Sequence, residues 1–378
     1  MLGQAFIDTF KCVPVAIVKA TSKQSEKRND VNQMREYDRS SWMFSLVEGT
    51  KMHQLCLTGT HHSACFKLYE YVACGSCWVK CQAWDIATQL ENGVRFLDLR
   101  YSRPTHFGHG PAIFAPSRIV AHDILSFLQN HPTEIIVCSL RRNSNYKSSH
   151  GNTHKFENDE RYQEYQMDEE TIANNVQHDP IDLFYQTLQA LQTSNKNTGS
   201  NVQIVLVKDM QTHMNYYHQM TIKELTCRGS RGMIMIYDWN IWQGSWSYTR
   251  HNQPKKLLEK SKQWTLQNNE KEIKDLSPPR ILEYVITIDH GNFLTILKLG
   301  LIESIETVAA KLDLQSQTLL DTPYLSKVDA LFVDFPSTFM LQSIIQWNIT
   351  WCQRNTGTQQ TNNNMQVPVL SPTSDLKV

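Results

Sequence analysis

The sequence predicts an α/β fold in one large domain, either a closed α/β barrel or a doubly wound sheet. Apolar, β-prone runs occur at residues 94–100, 134–141 and 231–238, and amphipathic helical patterns separate them. The run at 134–141 is continuously apolar, which is typical of a strand covered on both faces in a parallel sheet. With 378 residues, 40% of them hydrophobic, the chain is long enough to bury such a core.

The first predicted units are a strand, a helix and a second strand. Residues 54–61 form a short apolar run that Gly59 ends, as expected for a buried strand passing into a loop. Residues 84–92 have the pattern of a helix stopped by Gly93, which leads directly into the strand at 94–100. Further helices are predicted at 119–130, 181–191 and 339–351, and further strands at 202–207, 281–288 and 330–335.

Composition shifts divide the chain into an arm, a folded domain and a tail. Residues 1–39 are predicted to be an N-terminal arm with a polar stretch, and residues 40–352 the folded domain. A polar, acidic stretch at about 143–180 is predicted to be a surface insertion. Residues 353–378 are of low complexity, which predicts a disordered tail.

Charge and hydropathy exclude several classes of protein. Basic and acidic residues both number 37, so there is no overall positive charge of the kind that binds nucleic acid. No run approaches the roughly 18 to 20 apolar residues that span a bilayer. The first twenty residues lack a basic start, and nine cysteines form no regular framework, so we expect a cytoplasmic protein, with secretion left open.

Polar residues lie where three predicted strands or loops end. Asp98 and Arg100 share one face of the strand at 94–100 because side chains alternate along a strand. His61 and His109 each lie in a motif of glycines or small residues, where the backbone can approach a ligand closely. Two histidines, an arginine and an aspartate suit acid–base cleavage of a phosphodiester.

An aromatic and cysteine-rich stretch follows the first strand. Cys74, Cys77 and Cys81 have spacings seen in metal sites, but no nearby fourth ligand completes a set, so we predict no bound metal. Trp78 in this stretch and Trp242 in a later tryptophan-rich loop could touch a membrane surface. Plain core packing explains the same residues equally well.

Several motifs lie in order along the chain, at residues 59–68, 89–100, 109–111 and 127–141, with weaker support at 231–236 and 333–335. Together they resemble the X-domain family of phosphatidylinositol-specific phospholipases C, nearer the bacterial and small X-domain-only members than the calcium-dependent ones. The resemblance is strong over about residues 40–142 and weaker over 180–350. It implies a distorted TIM-type (β/α)8 barrel over 40–352 that cleaves phosphatidylinositol to diacylglycerol and a cyclic inositol phosphate.

The resemblance also implies a role for each site residue. His61 would be the general base and His109 the general acid. Asp334 would orient His61, Asp98 would orient His109, and Arg100 would neutralise the phosphate. This division is chemically sound because an in-line displacement needs a base and an acid on opposite sides of phosphorus.

Two arginines point to a calcium-independent subclass. The calcium-dependent members of the family have acidic residues at the positions of Arg100 and Arg141, so the resemblance implies that no metal or other cofactor is used. Arg141 would bind inositol hydroxyls or phosphate. The implied partner is a phosphatidylinositol-containing membrane surface, bound peripherally by a monomer without a transmembrane segment.

Two departures keep other functions open. His62 replaces an aspartate of the bacterial pattern, and Asp238 lies where those members have a basic residue that contacts inositol. A weakened X-domain that serves as a lipid-binding or interaction module is therefore an alternative. A metal-dependent glycerophosphodiesterase would need clustered acidic ligands that the sequence lacks. On an extended backbone His62 would point away from His61, which argues against a metal site made by these two histidines.

Overall fold

The fold is built on one mostly parallel sheet with helices packed outside it. The computed structural model describes residues 37–68, 79–110, 112–143, 179–194, 202–244, 254–267, 279–285 and 325–356. The strands are β1 Leu57–Thr60, β2 Phe96–Arg103, β3 His106–His109, β4 Ala112–Pro116, β5 Ile135–Arg142, β6 Gln203–Val207, β7 Met233–Asp238, β8 Gln243–Gly244, β9 Arg280–Tyr284 and β10 Ala330–Val333. The α-helices are α1 Ile86–Glu91, α2 Ser117–Asn130, α3 Pro180–Ser194, α4 Met210–His213, α5 Ile222–Leu225, α6 Pro254–Gln267 and α7 Thr338–Thr356.

Eight of the strands form a continuous parallel path. Their order is β6, β7, β5, β2, β1, β10, β9 and β8, and each neighbouring pair is parallel. In a regular barrel the strands would follow chain order, whereas here β6 lies outside β7. The parallel α/β fold is confirmed, in a distorted form in which β6 and β8 lie at the two ends of the described sheet.

The strands and helices predicted from hydrophobic periodicity are present, with small shifts at their ends. Gly93 ends α1 with a φ of 98°, a conformation that favours glycine. The last helix runs to Thr356, four residues past the predicted end of the folded domain at 352. Almost all of the predicted arm and tail, and the predicted insertion between residues 144 and 178, lie outside the described residues.

An antiparallel hairpin made by β3 and β4 extends from β2. No strand was predicted from the sequence at this position. Gly108 lies so close to the side chain of Ser102 and the carbonyl of Ala112 that any added Cβ would clash. The hairpin therefore depends on this glycine, and it carries His109 at the end of β3.

The core has two layers that follow the alternation of side chains along the strands. Leu97 and Leu99 of β2 pack outward with α2 and α3. Phe96 of β2 packs inward with Phe332 and Trp242. Asp98 and Arg100 share the inward face of Phe96, so both lie inside the barrel.

The prediction of a membrane-facing Trp242 is wrong. The side chain is 6% exposed and packs against Phe96, Tyr217 and Tyr237 inside the barrel. The loop after β7 turns back over the sheet as a 3-10 helix, Trp239–Ile241, which directs this indole into the core. Trp78 lies outside the described residues. Within the described part of the chain, no helix is both long and apolar enough to cross a membrane.

A buried ion pair closes the end of the barrel where the strands begin. Arg95 donates through Nε to Glu134 Oε2 at 2.8 Å, and both side chains are fully buried. The guanidinium also donates to the carbonyls of Leu90, Val94, Arg39 and Ser40. These bonds attach the segment Arg39–Ser45, with its buried Trp42, to the start of the sheet.

A cluster of histidines lies between α4 and β7. His213 is buried and its Nδ1 lies 3.1 Å from the hydroxyl of Tyr237. The ring of His218 lies 5.2 Å from that of His213 and stacks on His53 at 4.7 Å. Burial, with smaller contributions from His218 and His53, lowers the pKa of His213 to about 3.

We expect His213 to make the protein less stable in acid. Because its folded pKa is about 3 and its unfolded pKa about 6.5, the unfolded state binds a proton that the folded state excludes. The contribution of neutral His213 to the free energy of unfolding is complete above about pH 6.5. It is lost as pH falls toward 3, at up to about 1.4 kcal/mol per pH unit. Urea unfolding of a His213→Gln variant should therefore show a weaker pH dependence between pH 7 and 5. The same change at the partly exposed His131 is the control, and equal slopes for both variants would contradict the expectation.

Candidate active site

His61 and Asp334 form the first pair of the candidate site. They directly follow β1 and β10, which are neighbouring parallel strands, so both side chains emerge at the same end of the sheet. His61 Nδ1 lies 2.9 Å from Asp334 Oδ1, and both residues are buried. Gln82 supports the pair by donating to the carbonyls of His61 and Val333. The family resemblance implied this pairing of His61 with Asp334.

His109 faces the same space from the tip of the hairpin. Its ring centroid lies 6.3 Å from that of His61. At this separation both imidazoles could reach oxygens of one phosphate group, since each hydrogen bond spans roughly 2.6–3.2 Å. Nδ1 of His109 lies 2.9 Å from the carbonyl oxygen of Val79 and 3.4 Å from Sγ of Cys81. A proton on Nδ1 directed to that carbonyl leaves Nε2 for chemistry.

The surroundings of His109 favour its neutral form. Burial, followed by the nearby His61, lowers the pKa of His109 to about 4. A general acid must carry a proton before it can donate one. The role predicted for His109 therefore requires a bound anion, such as a phosphate, that raises this pKa.

Asp98 contacts different partners from those predicted. Its carboxylate accepts bonds from Arg100 Nε at 3.0 and 2.9 Å and from the backbone N–H of His62 at 3.1 Å. The structure thus differs from the prediction that Asp98 orients His109, whose Nδ1 lies against Val79. The reason is local, because Asp98 and Arg100 lie two apart on one strand face and the guanidinium folds back onto the carboxylate.

Two guanidinium groups converge on this one carboxylate. Arg141, paired in register with Arg100 across β2 and β5, has its Nε 3.7 Å from Asp98 Oδ1. Burial opposes ionisation of Asp98, but the charges of Arg100 and Arg141 more than offset burial and keep its pKa below the usual range. Burial and the charge of Arg100 lower the pKa of Arg141 to about 10, so it stays cationic at neutral pH. This trio carries excess positive charge, which suits a phosphate.

Arg141 also stacks on an aromatic ring. Its guanidinium carbon lies 3.7 Å from the ring centroid of Trp239, which follows β7 next to β5 in the sheet. A cation–π contact of this kind holds the guanidinium in one orientation. Arg141 therefore lies at the site, as its predicted role in substrate binding requires.

The prediction that His62 points away from His61 is wrong. His62 has a φ of 45°, so the extended backbone ends with β1 and the two rings come within 4.4 Å of each other. The ring of His62 also lies 4.0 Å from that of His109, and its Nδ1 lies 3.2 Å from the carbonyl of Gly108. Burial lowers the pKa of His62 well below its ordinary value, so it packs between the other two histidines as a neutral side chain.

The sequence did not identify Cys81 and Glu283 as site residues. Cys81 was weighed with Cys74 and Cys77, which lie outside the described residues, but its thiol contacts His109 instead. Glu283 of β9 is buried, and burial raises its pKa against the opposing effects of His61, Arg100 and Arg141. A lone carboxylate within an apolar strand was the one sequence signal for Glu283.

Sequence comparison finds bacterial relatives over part of the chain, and no family model matches it. A 1-phosphatidylinositol phosphodiesterase of Staphylococcus aureus (strain Newman) is 30% identical over 168 residues, which are 43% of this chain and 49% of the relative. A protein of the same name from Listeria monocytogenes is 28% identical over 109 residues, 29% of this chain and 34% of that relative. The matched region thus spans about half the length of these curated relatives, or less.

Structure comparison extends the likeness to most of the fold. The phosphatidylinositol-specific phospholipase C of Listeria monocytogenes matches with a TM-score of 0.50 at 16% identity, over 82% of this chain and 99% of that one. An enzyme of the same class from Staphylococcus aureus, studied for its membrane binding, matches with a TM-score of 0.52 at 19% identity, over 82% and 98%. The chain has the TIM-type fold of the phosphatidylinositol-specific phospholipases C. In sequence it resembles the bacterial 1-phosphatidylinositol phosphodiesterases in particular.

We expect Asp98→Asn to destabilise the protein strongly. The substitution removes the negative charge that Arg100 and Arg141 share in a buried site, and breaking a buried ion pair costs about 3–5 kcal/mol. Asp182→Asn is the matched control, because Asp182 forms a surface ion pair with Lys208 at 2.6 Å and such pairs contribute about 0–1 kcal/mol. Urea unfolding measures both variants, and an equal loss in the two would show that Asp98 does not have this role.

Proposed function

We propose that the chain is a phosphodiesterase that cleaves phosphatidylinositol-type glycerophospholipids to diacylglycerol and a cyclic inositol phosphate. The observation that carries the proposal is the pair of imidazoles, His61 and His109, 6.3 Å apart beside the guanidiniums of Arg100 and Arg141. The name shared by the curated relatives supports the same reaction class.

His61 acts as the general base. With Nδ1–H donated to the carboxylate of Asp334, its Nε2 carries the lone pair that accepts the proton of the inositol 2-hydroxyl. The oxygen then attacks phosphorus and forms the cyclic diester. Asp334 stabilises the imidazolium that results, as an orienting carboxylate does in other acid–base sites.

Arg100 and His109 act on the phosphate and the leaving group. The guanidinium of Arg100 neutralises charge that develops on the phosphate oxygens, and Arg141 assists from the next strand. His109 donates its Nε2 proton to the departing diacylglycerol oxygen. The phosphate anion raises the pKa of His109 from about 4, so substrate binding itself supplies the protonated acid. The guanidiniums do the work of calcium in the metal-dependent members, which makes the reaction insensitive to chelators.

A weakened domain that binds lipid without turnover is the second candidate. It is favoured by the carbonyl of Val79, rather than a carboxylate, as the partner of His109 Nδ1. A carbonyl stabilises an imidazolium less than a carboxylate does, and burial already lowers the pKa of His109 to about 4. Under this alternative the lipid headgroup binds to the same arginines and is not cleaved.

Alanine at either histidine should remove turnover. We expect His61→Ala and His109→Ala to release cyclic inositol phosphate from phosphatidylinositol vesicles about 10²–10⁴-fold more slowly, because each loses one proton transfer. His131→Ala, at a histidine that contacts Glu91 on the outside of the barrel, is the control. The assay contains a chelator throughout. A wild-type protein that binds the vesicles without releasing product would favour the second candidate, and near-normal rates in either site variant would exclude this mechanism.

An exposed phenylalanine near the site is a candidate for membrane contact. Phe339 is 45% exposed and lies at the start of α7, five residues after Asp334, at the end of the sheet that carries the site. Phe44 is 74% exposed at the opposite end, where the backbone N–H of its neighbour Met43 contacts Glu134. A substrate in a bilayer must approach the end with the site, so Phe339 meets the lipid surface first.

We expect Phe339→Ser to weaken binding to phosphatidylinositol vesicles several-fold and Phe44→Ser to leave it unchanged. Only Phe339 buries apolar area in the bilayer, and full burial of a phenylalanine side chain contributes about 1.5–3 kcal/mol. Sedimentation with vesicles measures the bound fraction of each variant. Equal losses in both variants would mean that the membrane-facing end is not the end that carries the site.

A further inference from the structure

A thiol lies among the proposed acid–base residues. Cys81, His61 and Asp334 each offer a ligand atom, and the three atoms lie within 4.8 Å of one another. All three residues are buried, and Cys81 Sγ also lies 3.4 Å from His109 Nδ1. The acid–base reaction described above uses no thiol. Cys81 is therefore a possible metal ligand that has no part in the proposed reaction.

The backbone holds these ligands in place without a metal. Cys81 donates its amide to the carbonyl of Cys65, and its own carbonyl accepts the amide of Phe335, the residue after Asp334. The loops before α1 and after β10 are thus bonded to each other directly at the cluster. A preformed set of ligands binds a metal with little cost in ordering the chain.

The types of ligand decide which ion fits. One thiol, one imidazole and one carboxylate suit Zn²⁺, which takes sulfur, nitrogen and oxygen ligands in tetrahedral sites with bonds of roughly 2.0–2.3 Å. Calcium and magnesium require mostly oxygen ligands, and only one carboxylate belongs to this set.

We propose that His61, Cys81 and Asp334 form an inhibitory site for Zn²⁺ or a similar thiophilic divalent cation. Three protein ligands leave the fourth position of the ion to water or to a phosphate oxygen. The inhibition rests on the proposed phosphodiesterase, because a bound ion takes the lone pair of His61 or its Asp334 partner away from proton transfer. Binding of the ion itself does not depend on that activity.

The charges and protons of this binding step balance. Cys81 forms a sulfur–metal bond and releases its thiol proton to water, while Asp334 binds as a carboxylate and His61 as a neutral imidazole. One divalent cation with one thiolate and one carboxylate is electrically neutral. A neutral complex is the form that a buried site tolerates best.

Zinc binding tests the site in the full chain. Isothermal titration with zinc chloride, after removal of metals, should show one site in the wild type that Cys81→Ser weakens by at least about tenfold, since even the loss of an outer-shell partner costs about 10–100-fold. Asp334→Asn should weaken the same site, and circular dichroism checks that each variant is folded. Cys227→Ser, at an exposed cysteine far along the chain, is the matched control and should bind like the wild type. Cobalt(II) should give a sulfur-to-metal absorption band that Cys81→Ser lacks and Cys227→Ser keeps.

The outcomes separate the metal site from the lipid reaction. A wild type without a saturable zinc site, or equal affinity in Cys81→Ser and Cys227→Ser, would overturn the proposal. Where lipid cleavage is measurable, zinc should slow the wild type and Cys227→Ser, and calcium at the same concentration should not. Cleavage unaffected by saturating zinc would overturn the inhibitory role. If the chain cleaves no lipid, the proposed reaction fails while the titration and the cobalt band still decide whether the site exists.

Discussion

The carboxylate of Asp98 is the interaction on which the rest of the site depends. It lies inside the barrel on β2, between β1 and β5, and balances the two guanidiniums of Arg100 and Arg141. Without that charge, two cations would face each other at low dielectric, which is costly. The same carboxylate accepts the N–H of His62 and so holds the turn that follows His61. One buried charge thereby positions both arginines and the loop of the proposed base.

This use of Asp98 has a consequence for the proposed acid. Asp98 pairs with the two arginines, and His109 Nδ1 is bonded to the carbonyl of Val79 instead. Burial lowers the pKa of His109 to about 4, which favours its neutral form. Its protonation then depends on the charge of the ligand. Under the proposed function, the acid is therefore formed only where a phosphate is bound.

The sequence predicted the parts of the fold that are set by periodicity, and the family resemblance implied one pair of the site. The buried strands around residues 94–100, 134–141 and 231–238 follow from their apolar runs. The pairing of His61 with Asp334 was implied by the resemblance, and the structure shows that two neighbouring parallel strands bring them together. The orientation of His62 depends on one positive φ, which the presence of a histidine does not predict. The partners of Asp98, the burial of Trp242 and the position of Cys81 depend on contacts between distant segments. Local pattern carries no information about such contacts.

Cys81 shows how one site can favour two exclusive chemistries. The guanidiniums of Arg100 and Arg141 already supply positive charge beside the proposed base. A thiol next to His61 and Asp334 adds affinity only for soft ions, and those ions need the same lone pairs that proton transfer needs. A neutral imidazole has one free nitrogen lone pair, so an imidazole that coordinates a metal through it has none left to accept a proton. The metal-bound and proton-transferring states of His61 must therefore exclude each other, and the concentration of the metal ion decides which state is populated.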